Sequence, residues 1–197
     1  MKPLLVLAAF PVVLMGWMSC SRSGTGHAAL PDPRTVDKSV PEYKNPFHPS
    51  TYAHFVARKD YRKTYDVYKD DTLLNRQPKK SRKIFVCLDE QRGQYLVDGL
   101  VAMDFPLSSG VKAYPTKTGD YAVISKKEDH TSNLYGKMYD AEGKCINYNA
   151  ESTDPVPEGG RFDGSPMPYW QRLTNAGLGL HVGKVRRHPV SHGCVRL

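Results

Sequence analysis

The sequence predicts a mainly β domain, on three observations. Between Lys83 and Ile124, short apolar runs alternate with the turn formers Gln91-Arg92-Gly93, Asp98-Gly99 and Thr118-Gly119. That is the spacing of hairpin strands. Farther on, Gly177-Leu178-Gly179-Leu180-His181-Val182-Gly183 alternates small and large residues, which suits a strand that lies close to another backbone. Helical spacing is confined to one stretch, within residues 51–81, where Tyr61, Tyr65 and Tyr68 recur beside Phe55 and Lys59.

Taken in order, the chain opens on residues 1–19, which read as an export signal: Lys2 gives the positive start and Leu4 to Met18 is apolar. That run is short of the roughly 20 residues of a membrane helix. Cys20 stands where a lipoprotein signal ends, so lipidation at Cys20 is expected, with ordinary cleavage near Ala28 or Ala29 as the alternative. Residues 20–50 read as a proline-rich linker, punctuated by Pro31, Pro33, Pro41, Pro46 and Pro49 and therefore extended. Residues 51–81 form a pre-domain segment in which a short amphipathic helix fits, its tyrosines serving as packing surface; Pro78 and the cluster Lys79-Lys80-Ser81-Arg82-Lys83 end it.

Residues 82–197 are the catalytic-domain candidate. Ile84–Leu88, Gln94–Val97 and Leu100–Phe105 read as a β-meander, followed by a break at Ser108-Ser109-Gly110 and a strand at Tyr121–Ile124. Residues 125–165 hold few apolar clusters and many loop formers, so they read as a long loop, functional or mobile, with His130 as a solvated loop histidine. Tyr169–Leu173 is a strand, and the Gly177–Gly183 stretch follows it.

The composition narrows the function classes. With 197 residues and 40% hydrophobic content, the chain supports one modest core. Its formal charge of +8 suits an acidic partner: nucleic acid, anionic lipid or a carboxylate-rich polymer. The basic residues form no long run, and no nucleic-acid partner is expected. Four cysteines, Cys20, Cys87, Cys145 and Cys194, contain no Cys-x-x-Cys pair, so neither a zinc ribbon nor a thioredoxin site is indicated. Cys87 in its apolar strand reads as a buried thiol, and Cys87–Cys145 is the one disulfide that export would leave open.

The chemistry concentrates in Ser191-His192-Gly193-Cys194-Val195-Arg196-Leu197, with His181 a short way upstream. A thiolate is the nucleophile, and a free thiol is mostly protonated near neutrality. A neighbouring imidazole can take the proton or hold the thiolate as an ion pair. Gly193 allows a tight turn, so the N–H groups around His192, Gly193 and Cys194 can converge on a developing oxyanion. Arg196 suits either a substrate carboxylate or an internal salt bridge. A zinc site from His181, His188, His192 and Cys194 needs a helix that Pro189 and Gly193 oppose, so no metal and no cofactor are expected.

These residues resemble the L,D-transpeptidase catalytic-domain family, cysteine enzymes that remodel peptidoglycan. The similarity extends to Ile84–Arg92, Pro106–Gly110, Tyr114–Gly119 and Pro166–Trp170, in family order. The resemblance implies a β-sandwich or barrel with a long flap beside the site, and a closing segment beyond Leu197 that this chain lacks. It makes Cys194 the nucleophile and His181 its acid–base partner, the imidazole being oriented by a backbone carbonyl, here that of Val182. His192 and Gly193 shape the site and the oxyanion hole. Ser191, Arg196, Tyr114 and Trp170 are the candidate substrate contacts, core packing being the alternative for the last two.

The implied function is peptidoglycan transpeptidation through a thioacyl-enzyme, in the envelope or periplasm. Its partners are stem peptides, with an envelope protein as a further candidate acceptor and a lipid anchor at Cys20. Two rival readings are an L,D-carboxypeptidase or amidase that uses water, and an inactive, truncated envelope-binding protein.

Overall fold

The computed structural model describes residues 32–78 and 81–197, and the backbone of 12–15. The expected signal, apart from that tetrapeptide, and the expected lipidation site at Cys20 lie outside the described residues. Thirteen strands and two short helices are present among them: β1 Val12–Met15, α1 Tyr52–Ala57, β2 Tyr68–Lys69, α2 Asp71–Leu74, β3 Arg82–Cys87, β4 Arg92–Val97, β5 Leu100–Pro106, β6 Gly119–Ala122, β7 Ser125–Lys127, β8 Thr131–Tyr139, β9 Cys145–Glu151, β10 Arg161–Pro166, β11 Trp170–Arg172, β12 Gly179–His181 and β13 Val195–Arg196. The fold is mainly β.

The strands form three sheets: β2-β5-β4-β3-β1-β6, β10-β8-β9 and β13-β12-β11-β7. The meander β3–β4–β5 is antiparallel with Val86 opposite Gly93 and Gln94 opposite Asp104. Asp98 and Gly99 both adopt positive φ at its tip, as a two-residue hairpin turn requires. The six- and four-stranded sheets pack across one core, in which Val86 of β3 meets Leu180 of β12, Val195 of β13, Leu107, Val123 and Leu173. Leu107, Leu180 and Val195 are fully buried.

Residues 125–165 are not the loop that their polarity suggested. β8, β9 and β10 build an antiparallel sheet, exposed along much of its length. Gly136 and Gly164 face each other in it, and a Cβ on either would sit about 2 Å from a neighbouring carbonyl oxygen.

The tyrosines of residues 51–81 do not share a helix. α1 is capped by Thr51, whose side chain accepts from the His54 N–H, and it stops at Arg58, which is extended. The chain then turns so that Tyr61 and Tyr52 both donate to Asp104 Oδ2, at 2.9 and 2.7 Å. Asp104 is fully buried and accepts from Arg92 Nε on its other oxygen. Arg92 also donates to the carbonyls of Thr64 and Asp66. Tyr61 is 2% exposed and Tyr65 58%, so only part of the stripe is packing surface. The second half of the proline-rich stretch also contacts this segment: Lys38 Nζ donates to the Val56 carbonyl, Tyr43 to that of Ala57, and Arg34 to the Tyr52 hydroxyl.

Cys145 is a free thiol, so no Cys87–Cys145 bridge forms. Cys87 is buried, at the end of β3. Among the described residues, no helix is long and apolar enough to cross a membrane.

Candidate active site

The four-stranded sheet builds the site. β12 runs parallel to β13 with Leu180 opposite Val195 and His181 opposite Arg196. Successive side chains on a strand point to opposite faces. Leu180 and Val195 enter the core, so His181 and Arg196 take the other face. Cys194, one residue before β13, shares that face. Its Sγ donates to the Gly177 carbonyl at 3.5 Å.

His181 is buried, and its Nδ1 lies 2.9 Å from the Val182 carbonyl oxygen. A carbonyl only accepts, so Nδ1 carries the proton and Nε2 keeps its lone pair. Trp170, 3% exposed, has its ring centroid 6.2 Å from that of His181 and 5.0 Å from that of His130. Gly179 is what lets the indole lie there: a Cβ on it would come 2.4 Å from a Trp170 ring carbon. Burial pushes the His181 imidazole below its usual range; the Val182 carbonyl opposes this, and the charges of Arg196 and His130 add to it. Burial likewise pushes the Cys194 thiol up, against the Gly179 N–H and Arg196. Both shifts favour the neutral forms, thiol and imidazole, over the ion pair that the sequence left open.

The turn before the cysteine is held from several sides. Ser191, 3% exposed, donates to the Cys194 carbonyl at 2.5 Å and accepts from the Gly193 N–H at 3.2 Å. Its hydroxyl holds the turn. Gly193 has φ of 114°, open essentially to glycine alone. Thr116 accepts from the Gly110 N–H at 2.8 Å and donates to the Gly193 carbonyl at 2.6 Å. Ser108 pairs with Arg196 through backbone hydrogen bonds in both directions. The N–H of Gly193 is thus engaged. Those of His192 and Cys194 have no acceptor among the described residues.

The flap sheet reaches the same place. Tyr135 of β8 stacks on the exposed His192 ring at 4.2 Å, and Tyr114 lies 4.7 Å from it on a tilted plane. The cysteine is close enough to the Tyr135 phenol to help raise its pKa, after burial, Glu151 and Tyr114. Tyr114 is 42% exposed at the rim, whereas Trp170 is core-like. Arg196 has no carboxylate partner among the described residues, so the internal salt bridge is not made.

Sequence reasoning missed two residues. Tyr135 stands alone in a polar, glycine-containing strand and gives no signal. His130 is half-buried against Trp170 and not a solvated histidine; the charges on either side of it concealed this. Among the described residues, no three His, Cys, Asp or Glu side chains come together to hold a metal.

A family model for the L,D-transpeptidase catalytic domain (YkuD) matches residues 81–197. Among solved structures, an L,D-transpeptidase from Stackebrandtia nassauensis is 24% identical over 62% of this chain and 47% of its own, with a TM-score of 0.40. One from Mycobacterium smegmatis is 20% identical over 59% and 50%, with a TM-score of 0.42. The catalytic domain of the Enterococcus faecium L,D-transpeptidase is 27% identical over 60% and 81%, with a TM-score of 0.41. The chain spans about half the length of the first two. No curated protein matches it.

Proposed function

The chain belongs to the L,D-transpeptidase catalytic-domain family, and from that premise we propose that it is a peptidoglycan L,D-transpeptidase of the cell envelope with Cys194 as nucleophile. The observation that carries this is the tie between His181 Nδ1 and the Val182 carbonyl. It leaves a basic Nε2 on the face that also bears Cys194.

The donor is a stem peptide whose third residue, a diamino acid, precedes D-alanine. Cys194 Sγ attacks the carbonyl of that residue while His181 Nε2 takes the thiol proton. The N–H groups of His192 and Cys194 stabilise the oxyanion. As the C–N bond breaks, His181 returns the proton to the departing D-alanine amine, leaving a thioacyl-enzyme. An amine, from a second stem or from an envelope protein, then attacks the thioester. His181 takes the amine proton and delivers it to the leaving thiolate, which restores the resting pair. His192 and Gly193 shape the turn, Tyr114 lines the rim, and Arg196 is free to hold a substrate carboxylate. A lipid on Cys20 would hold the domain at a membrane surface.

The test is incubation with purified disaccharide-tetrapeptides and product analysis by mass. Cross-linked dimers with release of D-alanine are the expected result. Shortened stems without dimers would replace transfer by hydrolysis, and no change at all would reject both. A carbapenem should add its mass once to the wild type and not to Cys194→Ala. Anchoring is tested separately: Cys20→Ala should move the protein from the membrane fraction to the soluble one.

A further inference from the structure

The site-bearing face of the four-stranded sheet holds more positive charge than Arg196 alone. β7 pairs antiparallel with β11, Lys127 opposite Trp170 and Ser125 opposite Arg172. β11 in turn places Arg172 opposite Gly179 of β12. Directly paired residues share a face. One face therefore carries Ser125 and Lys127, Trp170 and Arg172, Gly179 and His181, then Cys194 and Arg196. None of these is acidic.

Arg172 is unspent. Its Nε is buried without a hydrogen-bond partner, and its side chain has no ion pair among the described residues. A buried polar group left unpaired is costly, more so when charged. The guanidinium is near enough to His130 for its charge, with that of Lys127, to help burial hold the imidazole low. Three cationic or potentially cationic groups thus surround one spot beside Trp170, with nothing negative among the side chains that share the sheet face.

The position matches a particular substrate group. β12 pairs Leu180 with Val195, so Gly179 lies beside Cys194 on one side, and Arg172 pairs with Gly179 on the other. Thiol and guanidinium therefore start from strands two places apart, about 9–10 Å, and the arginine side chain can span part of that gap. One extended residue adds about 3.5 Å. A carboxylate one residue beyond the attacked carbonyl would fall within reach.

We infer that Arg172, supported by Lys127 and His130, is a carboxylate-binding subsite for the free C-terminus of the donor peptide, the α-carboxylate of the residue that leaves. The inference rests on the transpeptidase reading. It also supplies a reason for a donor to end one residue past the scissile bond: an amide, or a further residue, would misplace the anion and leave the guanidinium unpaired.

The experiment compares two probes, a tetrapeptide stem with a free C-terminal carboxylate and the same stem as its carboxamide. Each is bound calorimetrically to Cys194→Ala protein and turned over by protein with Cys194 intact. The acid should bind about tenfold tighter than the amide, as one charge-assisted pair allows. Arg172→Gln should bring the acid down to the amide's level without weakening the amide, the loss falling on KM and not on kcat. Arg172→Lys should restore part of the preference. Lys127→Gln, at an exposed position on the same face, should lower the preference by a smaller factor; it reads the subsite even if the arginine variants fold poorly. Equal binding of acid and amide to unsubstituted Arg172, or an Arg172→Gln loss shared equally by both probes, would overturn the subsite. Turnover without acid preference removes the subsite and leaves the transpeptidase reading standing. Neither binding nor turnover of either probe removes both.

Discussion

The Nδ1 of His181 lies 2.9 Å from the carbonyl oxygen of Val182, its neighbour in sequence. That contact fixes the tautomer, and burial then keeps the ring neutral. Burial also pushes the Cys194 thiol up. Iodoacetamide alkylation of Cys194 should therefore lag until the pH passes the ordinary thiol value of ~8.5. Turnover should rise as His181 loses its proton, with its acid limb below the free imidazole value of ~6.5. His181→Ala should reduce turnover by about 10²–10⁴ while leaving the alkylation profile nearly unmoved. Alkylation that persists at pH 6 and disappears in His181→Ala would mean a standing ion pair and would refute the neutral resting state. The same burial has a stability consequence. Because the folded-state pKa of His181 lies below its unfolded value, the stability from keeping the ring neutral is present above ~6.5 and is lost as the pH falls through the folded value.

Tyr135 and His192 stack at 4.2 Å with planes 19° apart, joining the flap to the cysteine turn. Aromatic pairs of this kind contribute about 0.5–1.5 kcal/mol. Tyr135→Ala and His192→Ala should both speed amide exchange in β8 and slow turnover, with little change in the thiol's titration. If His192→Ala abolishes turnover and His181→Ala spares it, the two histidines have exchanged roles.

Thr116 bridges the Gly110 N–H and the Gly193 carbonyl through one hydroxyl. Thr116→Val keeps the shape and leaves two backbone groups unpaired, at about 1–3 kcal/mol for each that stays buried. Thermal unfolding should register the loss, and turnover should fall further than stability because the Gly193 carbonyl sets the turn. Thr116→Ser should retain both. Equal behaviour of the valine and serine variants would show that the hydroxyl is not what holds the turn.

Asp104 and Arg92 form a buried ion pair, 0% and 1% exposed in their side chains. Removing one partner of such a pair costs about 3–5 kcal/mol. Asp104→Asn should lower the unfolding free energy measured in urea by an amount in that range, and α1 should become the first segment open to proteolysis, since Tyr52 and Tyr61 both donate to the same carboxylate. A variant as stable as wild type would remove the network from the account of how residues 51–66 are held.

The meander and the cysteine turn were legible in the sequence. Asp98-Gly99 marks a hairpin because positive φ costs glycine little and aspartate less than most residues. The alternation on both sides of it reports one buried face. Cys194 and His181 were legible as candidates through their residue types and the Gly193 turn, and the contact of His181 with the Val182 carbonyl was an expectation that the resemblance supplied. The flap sheet was not legible, because strands exposed on much of their surface, as β9 is at Ile146 and Tyr148, need no apolar alternation. The helix expected in residues 51–81 shrank to α1 and α2 because Tyr61 is drawn to Asp104, a partner 43 positions away.

The sequence by itself determined the mainly β class, the strand order through the meander and which thiol follows the glycine turn, since each depends on local conformational preference or on a side chain's own chemistry. The tertiary structure decided which residues share a face with Cys194, placing Trp170, Arg172 and His181 there through the register of β11 on β12. It also pushes the thiol up and the imidazole down, toward their neutral forms. Both depend on how far strands distant in sequence exclude water from the thiol and the imidazole, and desolvation is set by everything that packs around a group and by no residue alone.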